Sequence, residues 1–329
     1  MIELDKFYPP APASVTINGI TAIDGKAYVR PAASIAPEAV AFEGYNSLAS
    51  RYQALTEHLP LAGAAAMSES GHGEIKLIAQ LRAAAPWLEL AIGTIEQQLR
   101  VQLWAGRPWI AWRPLCLVGP PGTVKSHLAR MIGSIARSGT LTLDLGGSLD
   151  ARTLEGTPRG WNNAQPCWPA LAMAQTQTAN PVLVLEEVDK SGGSAQNGVS
   201  HHVLLTMLER ETARGYWDKC LLTAVDLSRI CWILTANDAS LLPPVLHSRL
   251  DIVRIDGPGE EHFEAVLTSL TAAIAREWGV RQETLPELPT RALTILRDGF
   301  ARTRSVRTLR RHLGGMLGAM ITVHTPTRH

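Results

Sequence analysis

Three runs of consecutive apolar residues, each closing on a polar tip, mark the middle of the chain. They are Leu115–Val118 before Gly119, Pro181–Leu185 before Glu186-Glu187, and Ile230–Leu234 before Thr235-Ala-Asn237. Runs this short, bordered by Pro and Gly, predict buried strands of a parallel sheet. Behind the first run, Leu128, Met131, Ile132 and Ile135 recur at helical spacing over His127–Ala136. Nearer the N-terminus the pattern changes. Val15–Ile17, Ile20–Ile23 and Lys26–Val29 are separated by Asn18-Gly19 and Asp24-Gly25, and such two-residue loops predict a three-stranded meander. A unit that small must pack on something else to be stable. A helix is expected over Asn46–His58, a Gly/Ser/Ala-rich linker over Gly63–Gly73, and helices over Glu74–Ala83 and Leu88–Trp104 with Pro86 between them. Beyond Gly257-Pro258-Gly259, the stretches His262–Trp278, Pro289–Phe300 and Val306–Ile321 all read as helices. The first ~12 residues, rich in Pro and Ala, are expected to be poorly ordered.

Composition narrows the classes. The chain has 329 residues, of which 46% are hydrophobic and 19% charged, enough for two domains or for one large and one small. A net charge of +1 gives no field that draws nucleic acid or acidic membranes in bulk. The four cysteines, Cys116, Cys167, Cys220 and Cys231, show no metal-binding or disulfide spacing. No secretory signal is expected at the N-terminus, and no apolar run is long enough to span a bilayer. The expected address is the cytoplasm.

The chemistry concentrates after the first run. Gly119-Pro120-Pro121-Gly122-Thr123-Val124-Lys125-Ser126, with His127 following into the helix, reads as a glycine-rich loop between a strand and a helix. In that arrangement loop N–H groups cradle a polyphosphate, the lysine reaches the β- and γ-phosphates, and the serine hydroxyl ligates Mg²⁺. The acids ending the second run fit the other half of such a site: Glu186 for Mg²⁺ and Glu187 to orient the attacking water. The bland alternative is a buried strand with two solvated acids at its mouth.

The order of these motifs resembles the AAA+ ATPases, and in particular the ATPase module of Lon-type proteases. Leu115–Gly122, Gly146-Gly147, Glu187-Val-Asp189-Lys190, Asp226-Leu-Ser228, Thr235-Ala-Asn237 and Leu246-His-Ser-Arg249 carry the resemblance, which covers roughly residues 85 to 320. It implies an α/β parallel sheet flanked by helices over 76–257 and a small all-α lid over 258–329, after an N-terminal region, 1–75, outside the resemblance. It also implies that Asn237 acts as sensor 1, Arg249 as an arginine finger toward a neighbouring subunit, and Arg307 as sensor 2 on the lid. Alone, each reads as a capping Asn or a surface Arg; three in the family's order favour the ATPase roles. Trp161, with Asn162, falls on the first pore loop, where an indole offers a sequence-tolerant grip on extended polypeptide; the competing reading tucks Trp161 onto the domain surface. The resemblance ends with the lid, and no Ser–Lys peptidase domain of the full Lon proteases is expected.

Two positions depart from the family pattern. Val124 places a branched Cβ where glycine lets the backbone approach the phosphate. Glu186 stands for the usual aspartate, adding a methylene at a metal that tolerates little displacement. The expected function is therefore a Lon-like ATPase, without a peptidase, that uses ATP and Mg²⁺ to remodel or thread a protein substrate. A homo-oligomeric ring (a hexamer by resemblance) and a separate protease or adaptor are the expected partners. The alternatives are a scaffold that binds ATP without hydrolysis, and a DNA-associated factor using the six arginines between Arg297 and Arg311.

Overall fold

The computed structural model describes residues 15–32, 35, 51–70, 73–120, 125–146, 152–190 and 195–324. The expected order of residues 1–12 and the start of the helix expected over 46–58 lie outside them.

The chain opens with the meander. β1 (Val15–Ile17), β2 (Ile20–Ile23) and β3 (Lys26–Val29) pair antiparallel, and β4 (Leu59–Pro60) adds a fourth strand beside β3. Asn18-Gly19 and Asp24-Gly25 all take positive φ, as a primed two-residue turn demands. Of the helix expected over 46–58, residues 46–50 lie outside the described residues, Arg51 is helical, and a 3₁₀ turn, Gln53–Thr56, then leads to β4. In that turn Leu55 is fully buried and accepts the Ala32 N–H through its carbonyl, a tertiary pairing that accompanies the end of the helical stretch. Gly63–Gly73 is not a linker. It contains the helical turn Ala64–Met67, in which Ala66 and Met67 are buried. Buried Asn180 exchanges two hydrogen bonds with the Ala62 backbone, at 2.7 and 3.0 Å, and donates a third to Ile110. A small-residue composition here reflects close packing.

Next come α1 (Lys76–Ala84) and α2 (Glu89–Trp104), separated by a 3₁₀ turn at Pro86. β5 (Leu115–Val118) runs into α3 (Lys125–Ala136), then β6 (Thr140–Asp144), α4 (Trp168–Thr176), β7 (Val182–Glu186) and α5 (Ala195–Leu208). A hairpin, β8 (Tyr216–Asp218) and β9 (Thr223–Val225), precedes β10 (Cys231–Ala236) and β11 (Asp251–Arg254). β11-β5-β10-β7-β6 form one parallel sheet. Its central strands β5 and β10 are buried along their whole length, which explains their unbroken apolar runs. β6 and β11 were not legible as strands; both lie at the sheet's edges and are only partly buried.

Separate apolar clusters cover the two faces of the sheet. One joins Val29, Leu55 and Leu59 of the N-terminal segment to Leu183, Leu185 and Trp232. The other packs Leu77, Ile92 and Leu99 against Leu117, Val184 and Ile233. The meander therefore docks on the sheet domain, and an Ala32–Val225 bridge and an Arg229 bond to the Asn18 carbonyl tie it to β9 and the following loop. A third cluster, centred on Phe263 and Phe300, unites α6 (Phe263–Glu277), α7 (Thr290–Thr303) and α8 (Val306–His324). Among the described residues, no helix is long and apolar enough to cross a membrane.

Candidate functional site

In an open parallel sheet, ligands bind outside the carboxyl ends of the strands, where successive connections leave in opposite directions. Here the chain goes from β5 outward to β6, returns through β7 to β10, and then crosses to β11 on the other side of β5. A cleft of about 840 Å³ opens at that edge, between α3, the tips of β7 and β10, and helices α6 and α8.

Lys125, Ser126, His127, Glu186, Glu187, Asn237 and Arg307 all line this cleft. Lys125 begins α3, and its ammonium donates to the carbonyls of Gly119 (2.6 Å) and Pro120 (3.2 Å) and to Asn237 Oδ1 (3.4 Å). Burial lowers the Lys125 pKa, and the charge of Asp189 opposes that shift. Ser126 Oγ donates to the Glu186 carboxylate at the end of β7. A hydroxyl and a carboxylate side by side are hard oxygen donors, and they fit a Mg²⁺ ion. Pro121, Gly122, Thr123 and Val124 lie outside the described residues.

The chain turns sharply after β7. Glu187 takes φ +56°, and its N–H bonds to Thr235 Oγ1. The turn brings Asp189, 5% exposed, under the end of β10, where one carboxylate oxygen accepts the N–H groups of Asn237 (2.8 Å) and Asp238 (3.1 Å). Asp189 thereby sets where Asn237 sits. Sequence reasoning included Asp189 in a motif but gave it no role, because its partners are distant backbone groups that leave no mark in the sequence.

The apolar end of the cleft was also missed. Met131 and Ile135, partly buried against the sheet's apolar cluster, also line the cleft, joined by Trp87, Leu270 and Val306. Leu128, Ala129 and Ile132 of α3 are fully buried, so one helix serves both the core and the cleft. Trp87 sits edge-on to His262 with ring centres 5.9 Å apart. His127 Nε2 lies 3.2 Å from Ser269 Oγ on α6. Burial, with Arg130 and Arg276 nearby, pushes the His127 pKa down to about 4, so the ring is neutral at pH 7. Arg310 also lines the cleft and is paired with Glu277.

Three predicted residues lie elsewhere. Arg249 is not among the residues lining the cleft; it bonds to the Val245 carbonyl and pairs with Glu209 at 3.3 Å. Trp161 and Asn162 line a separate depression with Arg152, Thr157 and Gln165. Trp161 is 59% exposed, so the indole is not tucked into the core. Its loop is closed by a Thr157–Gln165 bridge and fastened to the β8–β9 turn by Arg159, which donates to the carbonyls of Lys219, Cys220 and Leu221.

Comparison with known proteins adds an independent line. Residues 115–256 match the model of the ATPase family associated with various cellular activities (AAA). The chain is similar to the Lon protease of Chlamydia trachomatis serovar D, with 32% identity over 204 residues, 62% of this chain and 25% of that protein. It is similar as well to the mitochondrial Lon protease homolog of Caenorhabditis elegans, 30% identical over 208 residues, or 63% of this chain and 21% of that protein. Lon protease 1 of Syntrophotalea carbinolica is 34% identical over 196 residues, 59% of this chain and 24% of that protein. The match thus spans a quarter or less of each relative's length.

Proposed function

We propose, from the premise of an AAA-type ATPase module similar to that of Lon proteases, that the cleft binds and hydrolyses ATP with Mg²⁺ to remodel or thread a protein substrate. The observation that carries this reading is the convergence of Lys125, Ser126, Glu186, Glu187, Asn237 and Arg307 on one cleft beneath the strand ends. Lys125 exchanges the carbonyls of Gly119 and Pro120 for the β- and γ-phosphates, whose charge recovers what burial costs the ammonium. Ser126 and Glu186 would hold a Mg²⁺ ion, which would supply neutralisation of phosphate charge. Glu187 orients the attacking water and takes its proton, while Asn237, fixed by Asp189, steadies the water or the γ-phosphate. Arg307 answers the same charge from the lid. Trp87, Met131, Ile135 and Leu270 offer the base an apolar berth.

Arg249 serves the cleft of a neighbouring copy in a ring, an effect worth about 10³–10⁵ in rate in well-studied nucleotide hydrolases. Trp161 and Asn162 grip an extended polypeptide in the pore of that ring, which works in the cytoplasm, alone or with a separate protease or adaptor. Residues 1–75, 76–257 and 258–329 act as docking region, nucleotide domain and lid. Titration calorimetry of Lys125→Ala tests the core of the proposal: ATP affinity should fall at least about tenfold, or 1.4 kcal/mol. Unchanged affinity would remove the nucleotide site.

A second reading, binding without hydrolysis, is favoured by Val124 and by the longer arm of Glu186. Val124→Gly removes the branched Cβ from the cradle and should raise ATP affinity or turnover several-fold; brisk turnover by the parent would dismiss the second reading.

A further inference from the structure

Resting on that reading, we propose that Lys190 is a positioning residue that latches the Glu187 carboxylate away from the water it must activate. Glu187 Oε1 is ion-paired with Lys190 Nζ at 2.7 Å, on the turn that follows β7. Its other oxygen is parked over Gly146, so closely that a Cβ on Gly146 would collide with it. That Cβ position also lies 3.3 Å from Asp144 Oδ1, which accepts the Gly146 N–H. Two carboxylates, from β6 and from the turn after β7, therefore crowd one glycine, and Lys190 is the cation paired with Glu187 among the described residues.

The arrangement has a direction. A carboxylate oxygen held by the Lys190 ammonium is not free to face a water in the cleft. If Lys190 leaves, repulsion from Asp144 drives Glu187 off Gly146 and toward the cleft that it already borders. Lys190 is 51% exposed and Glu187 38%, so the latch is weak enough for an incoming nucleotide to open. Gly146 belongs to the device: its backbone lies outside the left-handed region, and the nearest atom a Cβ there would meet is the movable tip of Glu187.

Two variants and one labelling measurement test the latch. Lys190→Gln and Gly146→Ala release Glu187 by different means, one electrostatic and one steric. Each should raise kcat for ATP about two- to fivefold, the range set by an exposed ion pair, with KM unchanged, whereas Lys190→Arg should behave as the parent. Amine acylation of Lys190, followed by mass spectrometry, should be faster in Glu187→Gln than in the parent. In the parent it should accelerate when Mg²⁺ and a slowly hydrolysed ATP analogue are added. A fall in kcat in Lys190→Gln, or labelling indifferent both to Glu187→Gln and to nucleotide, overturns the proposal. A parent without turnover whose Lys190 still becomes reactive on nucleotide binding upholds the latch and overturns hydrolysis, so the two ideas fail separately.

Discussion

Replacing Asp189 probes how the site is held together. One carboxylate oxygen carries the N–H groups of both Asn237 and Asp238, at 2.8 and 3.1 Å, in a residue only 5% exposed. Hydrogen bonds to a charged group contribute roughly 1.5–3 kcal/mol each, and a buried donor left without a partner costs about 1–3 kcal/mol. Two offsets apply. Both bonds share one oxygen and are not additive, and the other oxygen, Oδ1, is buried without a partner among the described residues, so removing the charge returns part of its desolvation cost. Asp189→Ala should therefore destabilise by about 2–4 kcal/mol, whereas Asp189→Asn, which keeps an acceptor in place, should lose about 1 kcal/mol. Urea unfolding with an unchanged slope measures both. In the same two proteins kcat for ATP should fall in the order Asn, Ala, as Asn237 drifts, while ATP affinity changes less because Lys125 remains. An alanine variant losing under about 1 kcal/mol, or an asparagine variant as damaged as alanine, would refute the claim that this carboxylate fixes Asn237.

Glu187→Gln should bind ATP and fail to turn it over, measured by nucleotide retention after gel filtration; a parent-like rate there, with loss in Glu186→Gln, would move the hydrolytic role by one residue. Trp161→Ala should keep both its melting temperature, since the indole is 59% exposed, and its ATP affinity, while losing any stimulation of turnover by unfolded polypeptide. Acid should loosen the nucleotide-free protein through His127: its folded pKa of about 4 lies below the ordinary 6.5. Its contribution is thus complete above pH 6.5 and declines as pH falls toward 4, with a ceiling of about 3 kcal/mol. Thermal melts across that window should separate the parent from His127→Gln, and identical pH profiles would contradict the neutral buried ring.

The legible parts of this protein are those whose physics is local. Unbroken apolar runs announced β5, β7 and β10 because those strands are buried on both faces, and Asn-Gly and Asp-Gly announced the meander because few residues accept a primed turn. β6 and β11 hid because edge strands need no continuous apolar run. Gly63–Gly73 misled for a related reason: small residues suit a flexible linker and a tightly packed segment equally, and only distant Asn180 decides between them. The spacing also grouped Lys125, Ser126, Glu186 and Glu187, which line one cleft. Asp189, Trp87 and Met131 escaped that grouping, since each acts on elements more than forty residues away or from a helix already assigned to the core.

The bonds from Arg159 to the β8–β9 turn give the N-terminal sheet a mechanical meaning. If Trp161 grips a polypeptide as proposed, a pull on it would load the carbonyls of Lys219, Cys220 and Leu221 through Arg159. The hairpin passes that load through Val225 to Ala32, and the adjacent Asp226 N–H bond to the Pro31 carbonyl shares it. On the proposed role of Trp161, the meander would be the anchor at the far end of a short tether.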